Sequence, residues 1–428
     1  MVSRFSRRIK RSAPSRRQHR SWGVGACSVL GAVVILSTGL TSGAAAADAQ
    51  SQQWYLSAMK TDEMWKVSTG KGVKVAVIDS GVNPETPSLK GQVLAGDVPQ
   101  AVAYGATDDY DGHGTTMAEL IAGTGAGGGI KGLAPGARIV PYRIVFTDVL
   151  KDKAEISKTP TPAEAIRAAA DSDAKIISMS FEGGSDSKAE AAVKYAHSKG
   201  KLMFASVGND AEKKNLIGYP AAYPYVVGVA ASDESGKVAK FSEYGNYVDL
   251  AAPGLNMPGW CDKTFSSYCD QGGTSAATAL TSAAAALVWS AHPDWTANQV
   301  LASLIDTAGR SWAKDDPSVY LGYGLIRPRK VLMSEDYKPG SPGTDPLARE
   351  NAIGILDDSG NPVAVSASPS PEPSKKPETS DGGDQTSTAA SDTGTSDNTT
   401  LWVTLGAAAA VLAIGGGAFA VIRSRRRA

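Results

Sequence analysis

The sequence predicts an α/β fold, with helices on both faces of a mainly parallel sheet. Short apolar runs alternate with segments of helical composition across residues 50–336. The runs are apolar at nearly every position rather than at every second one, which is typical of strands buried on both faces. Strands of that kind, separated by helices, indicate a parallel sheet covered on two sides. The sequence has no internal repeat, so we expect residues 50–336 to form one domain.

Residues 1–49 have the three-part pattern of a secretory signal peptide. A strongly basic start is followed by an apolar stretch from about Gly23 to Leu40, and then by the small residues GAAAADAQ. That order is typical of a leader that is removed on export. An uncleaved membrane anchor is the alternative interpretation of the same pattern.

Four runs in the predicted domain are expected to be strands, and two segments between them are expected to be helices. The strands are KVAVI at 74–78, AKIISMS at 174–180, KLMFASV at 201–207 and YVVGVA at 225–230. The helices are predicted at 162–170 and 188–199. In parallel sheets, functional side chains collect at the carboxyl ends of the strands, so we look for them there.

Three segments follow the predicted domain. Residues 337–400 are rich in Pro, Ser, Thr, Gly and Asp and have few large apolar side chains, so we expect a disordered linker. Residues 401–422 carry no charge and are long enough, as a helix, to cross a bilayer core. The tail 423–428 is basic, and basic residues stay in the cytoplasm, so the domain is expected on the outer side. A buried helix of a soluble protein is the alternative for 401–422.

The charge and the cysteine content agree with an exported domain. The formal net charge is +0, but basic residues are concentrated at the two ends, which leaves an acidic excess between them. An acidic surface argues against nucleic acid as a partner. Of the three cysteines, Cys27 lies in the predicted signal peptide, whereas Cys261 and Cys269 lie in the exported part. Disulfides persist outside the cytoplasm, so we expect these two to form one.

Two polar residues in glycine-bearing motifs are candidates for acid–base chemistry. Asp79 is the first polar residue after a predicted strand, in GVKVAVIDSGV, where helix capping is the alternative role. His113 lies between two glycines in DYDGHGTTMAELIAG, just before a predicted helix. A single histidine is usually structural, but His197 and His292 lie at helix ends, and His113 alone has a site-like setting.

A serine and an asparagine complete the set of candidates. Ser275 begins a predicted alanine-rich helix in DQGGTSAATALTSAAAALVWSAH, where an N-cap is the alternative role. The same position suits a nucleophile, because a helix N-terminus offers free N–H groups to a developing oxyanion. Asn209 follows a predicted strand in FASVGND, and its amide is able to donate a second hydrogen bond there. An ordinary Gly-Asn turn is its alternative role.

The order Asp79, His113, Asn209, Ser275 resembles that of the subtilisin family of serine proteases. The resemblance covers residues 72–328 and implies a serine endopeptidase with a subtilisin-like fold. It implies that Asp79, His113 and Ser275 are the catalytic triad and that Asn209 lies in the oxyanion hole.

The family's substrate-binding strand corresponds to Ser180, Phe181, Glu182 and Gly183. That strand is usually Ser-Leu-Gly-like, so Glu182 is a departure. It either favours a basic residue in the substrate or faces solvent. In the helix after Ser275, small alanines also stand where the family usually has a bulky residue and a proline, at Ala276 and Ala279.

Within that family, the chain resembles the actinobacterial mycosins, which are associated with type VII secretion. The resemblance is carried by QQWYLSAMKTDEMWKVSTGKGVKVAVIDSGV, by the short stretch before the first strand, and by the linker and anchor. It implies a membrane-anchored extracytoplasmic protease whose partners are protein or peptide substrates and type VII secretion membrane components. The alternative is a structural component of a secretion complex, with secondary or absent protease activity.

No metal or organic cofactor is expected from the sequence. There is no HExxH motif, and TDDYDG has Ala118 where a calcium loop needs a bidentate glutamate. Many relatives bind calcium, but nothing in this sequence locates such a site.

Overall fold

The structure is a computed structural model that describes residues 49–356 and residue 361. Most of the predicted signal peptide lies outside the described residues, as do nearly all of the predicted linker from residue 357 onward, the predicted membrane helix at 401–422 and the basic tail at 423–428. Within the described part of the chain, no helix is both long enough and apolar enough to cross a membrane.

Six strands form a parallel sheet at the centre of the described region. They are β1 (Lys74–Asp79), β2 (Arg138–Arg143), β3 (Ile176–Met179), β4 (Leu202–Ser206), β5 (Val226–Ser232) and β6 (Leu250–Pro253). Their spatial order is β2-β1-β3-β4-β5-β6, and every pairing is parallel. The connections therefore leave β1 in opposite directions, and open α/β sheets form their binding crevice at such a point.

The helices of the described region come before, between and after these strands. They are α1 (Trp54–Ala58), α2 (Thr61–Met64), α3 (His113–Ala122), α4 (Lys153–Lys158), α5 (Pro162–Asp171), α6 (Ser187–Ser198), α7 (Thr274–Ala291), α8 (Ala297–Thr307), α9 (Pro328–Leu332) and α10 (Ala348–Ile353). An antiparallel hairpin of β7 (Met257–Trp260) and β8 (Tyr268–Gln271) leads into α7.

Helices cover both faces of the sheet, which confirms the predicted architecture. Successive side chains of a strand point to opposite faces. Val75 and Val77 of β1 lie in a core with residues of α3, α7 and α8, whereas Ala76 and Ile78 lie in a second core with residues of α5 and α6. Helix α7 is buried from Thr274 to Trp289, because its many alanines let it pack closely against the sheet.

All four predicted strands and both predicted helices are present in the structure. Strands β2 and β6 were not predicted. Strand β2 has an arginine at each end and Pro141 within it, so its sequence lacks a continuous apolar run. It lies at the edge of the sheet, where a proline is tolerated because one side of the strand makes no ladder hydrogen bonds. Strand β6, LAAP, is too short to stand out.

The folded region continues past Asp336, the predicted end of the domain. Leu347 is buried in the same core as α7. The Asn351 side chain accepts a hydrogen bond from the Tyr225 N–H at 2.9 Å, and Asn246 Nδ2 donates to the Gly354 carbonyl at 2.7 Å. Residues 337–356 are therefore attached to the domain rather than part of a disordered linker. Composition missed this because the attachment uses polar bonds and few apolar side chains.

Candidate active site

Asp79 and His113 meet at the carboxyl end of β1. Asp79 is the last residue of that strand and is fully buried, and His113 is the first residue of α3. The His113 Nδ1 atom lies 2.7 Å from Asp79 Oδ1. Because an ionised carboxylate only accepts hydrogen bonds, Nδ1 carries a proton, and in the neutral ring Nε2 is the acceptor.

The close approach of α3 to β1 requires a glycine at position 114. A Cβ atom there would lie 2.1 Å from the Gly81 carbonyl oxygen and 3.0 Å from the Asp79 Cβ atom. Both distances are shorter than van der Waals contact, and the nearer one is to backbone. A side chain at this position would therefore push the start of α3, and with it His113, away from Asp79.

Asp109, which the sequence analysis did not single out, fixes the loop before α3. Its Oδ1 atom accepts hydrogen bonds from the Gly112 N–H and the Ser80 hydroxyl, each at 2.8 Å. Its Oδ2 atom accepts from the Thr115 N–H at 2.8 Å and from the Thr115 hydroxyl at 2.6 Å. The Ser80 oxygen in turn accepts from the Gly114 N–H at 2.9 Å. This buried network joins the ends of β1 and α3. The only sequence signal for it was the acidic stretch TDDYDG.

The electrostatic setting of His113 favours its protonated form. Burial by itself lowers the pKa of the imidazole, but the charge and the hydrogen bond of Asp79 raise it, and the charges of Asp111 and Asp109 add to that effect. The pKa is raised to about 9 as the net result. The pair therefore stabilises an imidazolium, which is the form that arises when His113 accepts a proton.

Ser275 lies in the first turn of α7, with its side chain at the cleft. Its Oγ atom donates to the Ser180 carbonyl at 3.1 Å, and the Ser180 hydroxyl donates to the Ser275 carbonyl at 3.0 Å. The first N–H groups of a helix have no partner within the helix, so the Ser275 N–H is available at this end. The Ser275 hydroxyl is thus hydrogen-bonded to Ser180 rather than to His113. Catalytic hydrogen bonds often tighten only when substrate binds.

Asn209 is held beside Ser275 by the residue that begins α7. The Asn209 Oδ1 atom accepts from the Thr274 N–H at 2.9 Å and from the Thr274 hydroxyl at 3.1 Å. An N–H only donates, so the side-chain atom facing it is the oxygen, and Nδ2 is the atom left for another partner. Asn209 and Ser275 both line the cleft.

The cleft has a volume of about 440 Å³ and contains most of the predicted site residues. His113, Asn209 and Ser275 line it, together with the whole predicted substrate-binding segment Ser180, Phe181, Glu182 and Gly183. Gly183 exchanges two backbone hydrogen bonds with Tyr219, at 2.8 and 3.1 Å, which fixes one wall. Asp79 lies behind His113, out of the cleft. The structure therefore gathers the four residues of the predicted triad and oxyanion hole near the carboxyl ends of β1, β3 and β4.

Comparisons with known proteins identify the family of the chain. The model of the subtilase family, Peptidase S8, matches residues 70–325 of the chain. The chain belongs to the subtilase family. It is a serine-type endopeptidase of this family, as the sequence predicted. Among curated subtilases, thermitase of Thermoactinomyces vulgaris is 32% identical over 287 residues, which are 63% of this chain and 95% of that protein. Subtilisin BL of Lederbergia lenta is 34% identical over 266 residues, which are 61% of this chain and 92% of that protein.

Solved structures of subtilases extend the comparison to the mycosin branch. The MycP3 protease from the type VII (ESX-3) secretion system is 29% identical, with a TM-score of 0.55, covering 66% of this chain and 88% of that one. MycP1 with its N-terminal propeptide removed is 27% identical, with a TM-score of 0.55, covering 68% and 99% of the two chains. These similarities confirm the predicted resemblance of this subtilase to the mycosins.

The predicted disulfide of this subtilase is present. Cys261 and Cys269 are bonded, with their Cα atoms 5.1 Å apart, and they link the ends of the loop between β7 and β8. Gly272 and Gly273 then connect β8 to Thr274 at the start of α7. The bridge therefore stiffens the segment that leads directly to Ser275.

Within the described residues, no group of three or more His, Cys, Asp or Glu side chains is arranged to hold a metal ion. The acidic stretch that was compared with a calcium loop has another use in this subtilase. Its Asp109 oxygens are occupied by the N–H and hydroxyl donors at the start of α3.

Proposed function

We propose that this subtilase cleaves peptide bonds with Asp79, His113 and Ser275 as its catalytic triad. The observation that supports the proposal most directly is the 2.7 Å contact between His113 Nδ1 and Asp79 Oδ1, beside a cleft that His113 and Ser275 both line. That contact leaves the Nε2 atom of His113 free to act as a base toward a hydroxyl in the cleft.

In the proposed reaction, the Ser275 oxygen attacks the carbonyl carbon of the scissile peptide while His113 Nε2 takes the hydroxyl proton. His113 then gives that proton to the leaving amine, and an acyl-enzyme remains on Ser275. Water attacks the acyl carbon by the same path, with His113 again as the base, and releases the acid product. Asp79 stays ionised throughout and stabilises the imidazolium by its charge and hydrogen bond.

We propose that the oxyanion receives hydrogen bonds from Asn209 Nδ2 and from the Ser275 N–H. Thr274 holds the Asn209 oxygen, which leaves the Nδ2 donor for another partner, and Asn209 lines the cleft. The N-terminus of α7 adds the positive end of the helix dipole. Loss of one such donor typically lowers kcat by about 10²–10³. The segment from Ser180 to Gly183 is proposed to pair with the main chain of the substrate, because it forms a cleft wall next to Ser275.

Labelling by a fluorophosphonate probe, which reacts with activated serines, tests the triad. The full-length chain is expected to be labelled, whereas Ser275→Ala and His113→Ala are not. Ser290→Ala, at the other end of the same helix, is the matched control and is expected to be labelled like the native chain. Labelling of Ser275→Ala would show that another serine reacts. A folded native chain that is not labelled would favour a structural component of a secretion complex instead.

We propose that the peptidase domain acts outside the cytoplasmic membrane and is tethered to it. The support is the signal-peptide pattern of residues 1–49 and the uncharged segment 401–422 with its basic tail. We further propose an association with type VII secretion. Its support is the similarity to MycP1 and MycP3, which are proteases of such systems.

Accessibility in intact cells tests the proposed location. With a C-terminal tag on the full-length chain, externally added protease is expected to remove the domain and leave a short tagged fragment in the membrane fraction. Crosslinking in membranes is expected to capture components of a type VII system. Recovery of the intact chain in the cytosolic fraction would contradict the location. Crosslinking only to unrelated proteins would contradict the association.

A further inference from the structure

Apart from His113, the charged side chains that line the cleft are all acidic. Its acidic lining residues are Asp111, Asp148, Glu182 and Asp186. Among the described residues that line it there is no lysine and no arginine. A cleft of one sign, with low-dielectric walls, focuses its field on whatever ligand enters it.

A second glutamate, Glu243, lies directly behind Glu182. A Cβ atom on Gly208 would be 2.0 Å from Glu182 Oε2 and 2.2 Å from Glu243 Oε2, so the two carboxylates lie side by side over that glycine. The Glu243 N–H donates to the Gly208 carbonyl at 3.0 Å, which fixes this placement. Glu182 is exposed in the cleft, whereas Glu243 is only 1% exposed. The Glu243 Oε2 atom has no hydrogen-bond partner among the described residues and points at Glu182.

No cation of the described residues neutralises this pair. None of the ion pairs in that part of the chain includes Glu182 or Glu243, and the nearby Asp210 is paired with Lys213 at 2.8 Å. Burial, followed by the charge of Glu182, raises the pKa of Glu243 to about 7. Two carboxylates this close resist ionising together, unless a positive charge arrives between or beside them. The two carboxylates therefore form a favourable binding site for a cationic group.

The position of the pair indicates which substrate residue would meet it. One wall of the cleft runs from Ser180, whose carbonyl accepts from Ser275 Oγ, to Glu182 two residues later. The facing wall ends at Asn209, next to Gly208. A substrate whose carbonyl lies at Ser275 and Asn209 would send the side chain of that same residue between these two walls.

We infer that Glu182 and Glu243 together select substrates with lysine or arginine at the residue whose carbonyl Ser275 attacks. This inference rests on the proposed function of the cleft. Glu182 would contact the cation directly, and Glu243 would act behind it by adding its charge and holding the Glu182 carboxylate in place. An uncharged side chain would leave the pair holding a proton, because carboxylates this close resist ionising together, so the selectivity would come from attraction of the cation.

Two peptides that differ only at that residue, lysine in one and its uncharged analogue norleucine in the other, test the inference. The native chain is expected to cleave the lysine peptide with a kcat/KM at least tenfold higher. Glu182→Gln and Glu243→Gln are each expected to reduce that ratio severalfold, and the double variant to reduce it by less than the product of the two. Glu234→Gln, an exposed glutamate outside the cleft, is the control and should keep the native ratio.

Binding of the same peptides to Ser275→Ala separates this inference from the proposed catalysis. A lysine preference in binding that both glutamine variants weaken would support the inference even if the native chain cleaves neither peptide. A native chain that binds the lysine peptide but cleaves neither peptide would contradict only the proposed catalysis. Equal cleavage or equal binding of the two peptides would overturn the selectivity inference alone. An unchanged ratio in both Glu182→Gln and Glu243→Gln would overturn it as well.

Discussion

Asp79 and Asp109 are buried carboxylates at the same end of the sheet, yet their hydrogen bonds give them different tasks. Asp109 is surrounded by backbone N–H and hydroxyl donors on both of its oxygens. Asp79 shares its Oδ1 atom between His113 and Ser80, and its Oδ2 atom has no hydrogen-bond partner among the described residues. Asp109 therefore acts as a structural clamp, while the charge of Asp79 is left to act on the imidazole.

The raised pKa of His113 leads to a pH prediction. The proposed general base, His113, would work in its neutral form, so activity is expected above its pKa and is expected to be lost as the pH falls through it. Asp79→Asn removes the charge that raises the pKa of His113. We expect the acidic limb of the kcat/KM profile to move to lower pH, and the plateau to fall by about 10³–10⁴ because the ring loses its correct tautomer.

A pH profile of kcat/KM for the native chain and for Asp79→Asn checks this expectation. Asp233→Asn, on the loop after β5 and away from the cleft, is the matched charge control, and its profile should overlie the native one. An acidic limb that stays in place in Asp79→Asn would show that Asp79 does not set the pKa of His113.

Gly114→Ala tests the closeness of α3 and β1. The new methyl group would meet the Gly81 carbonyl at 2.1 Å, so the start of α3 has to move and the contact between His113 and Asp79 lengthens. A displacement of about 1 Å at a catalytic group lowers the rate by about 10²-fold. We expect a kcat loss of that order in kinetic assays. Gly96→Ala, where a Cβ meets nothing within 4 Å, should be neutral. Native kcat in Gly114→Ala would mean that the helix start tolerates the shift.

At the scale of elements, the hairpin before α7 contains the disulfide and leads into the turn of α7 that holds Ser275. The bridge between Cys261 and Cys269 closes a loop with a sequence separation of 8. A loop of that length constrains the unfolded chain by only about 2–3 kcal/mol. The larger consequence of the disulfide is that it stiffens the segment before Ser275, because the hairpin passes into the first turn of α7 through only two glycines.

Replacing both cysteines by serine is expected to lower the free energy of unfolding by about 2–3 kcal/mol. Urea unfolding of the native chain, with and without reductant, and of the double serine variant provides the measurement. Reduction should lower the stability of the native chain to that of the variant and leave the variant unchanged. Equal stability of the oxidised native chain and the variant would show that the bridge contributes nothing to the fold.

The elements that sequence predicts best are those with one dominant signal. Strand β5 is apolar along its length and helix α7 is rich in alanine, so each is visible in the sequence alone. Strand β2 is hidden by its proline and its charges, which its edge position tolerates, and the sequence does not show that position. The hairpin was marked only by its cysteines. Sequence alone does not show the position of a strand in the sheet, and that position decides whether a proline or a charged residue is tolerated in it.

The same limit applies to the site. Asp79, His113, Asn209 and Ser275 each stand in a glycine-bearing motif, and the fold gathers them at one place, although their catalytic roles stay a prediction. Glu243 was not found, because FSEYG has the composition of an ordinary loop and its contact with Glu182 is long-range. Residues that act from behind the cleft are placed there by long-range packing contacts, and local sequence does not predict such contacts.

At the scale of the whole molecule, the segment after Asp336 packs against the domain and is hydrogen-bonded to it. Leu347 is 2% exposed, and α10 brings Glu350 to the Tyr323 hydroxyl at 2.6 Å. Asn351 and Gly354 add the hydrogen bonds to Tyr225 and Asn246. The peptidase fold therefore includes residues that look like linker by composition, and a chain cut at Asp336 would lose these contacts.

Leu347→Ala tests how strongly this segment is attached. Truncating a buried leucine typically costs about 2–5 kcal/mol, and we expect the lower part of that range because the segment is able to detach. Limited proteolysis should also cut residues 337–356 faster than in the native chain. Leu216→Ala, at a leucine that is 46% exposed, is the control for both measurements. If the two variants behave alike in urea unfolding and in proteolysis, the segment is not part of the stable fold.

The three residues of the proposed triad are far apart in the sequence, and this separation determines at what stage of folding the protease becomes active. Asp79 ends the first strand, whereas Ser275 lies in the first turn of a helix that follows all six strands of the described sheet. Helix α7 packs against β3, β4, β5 and β6, so its final position depends on the pairing of those strands. Contacts so distant in sequence form late, because their loop-closure entropy has to be offset first. A chain still being synthesised, or threaded unfolded through a membrane, would thus hold its three reactive groups apart, and the protease would become competent only after α7 docks.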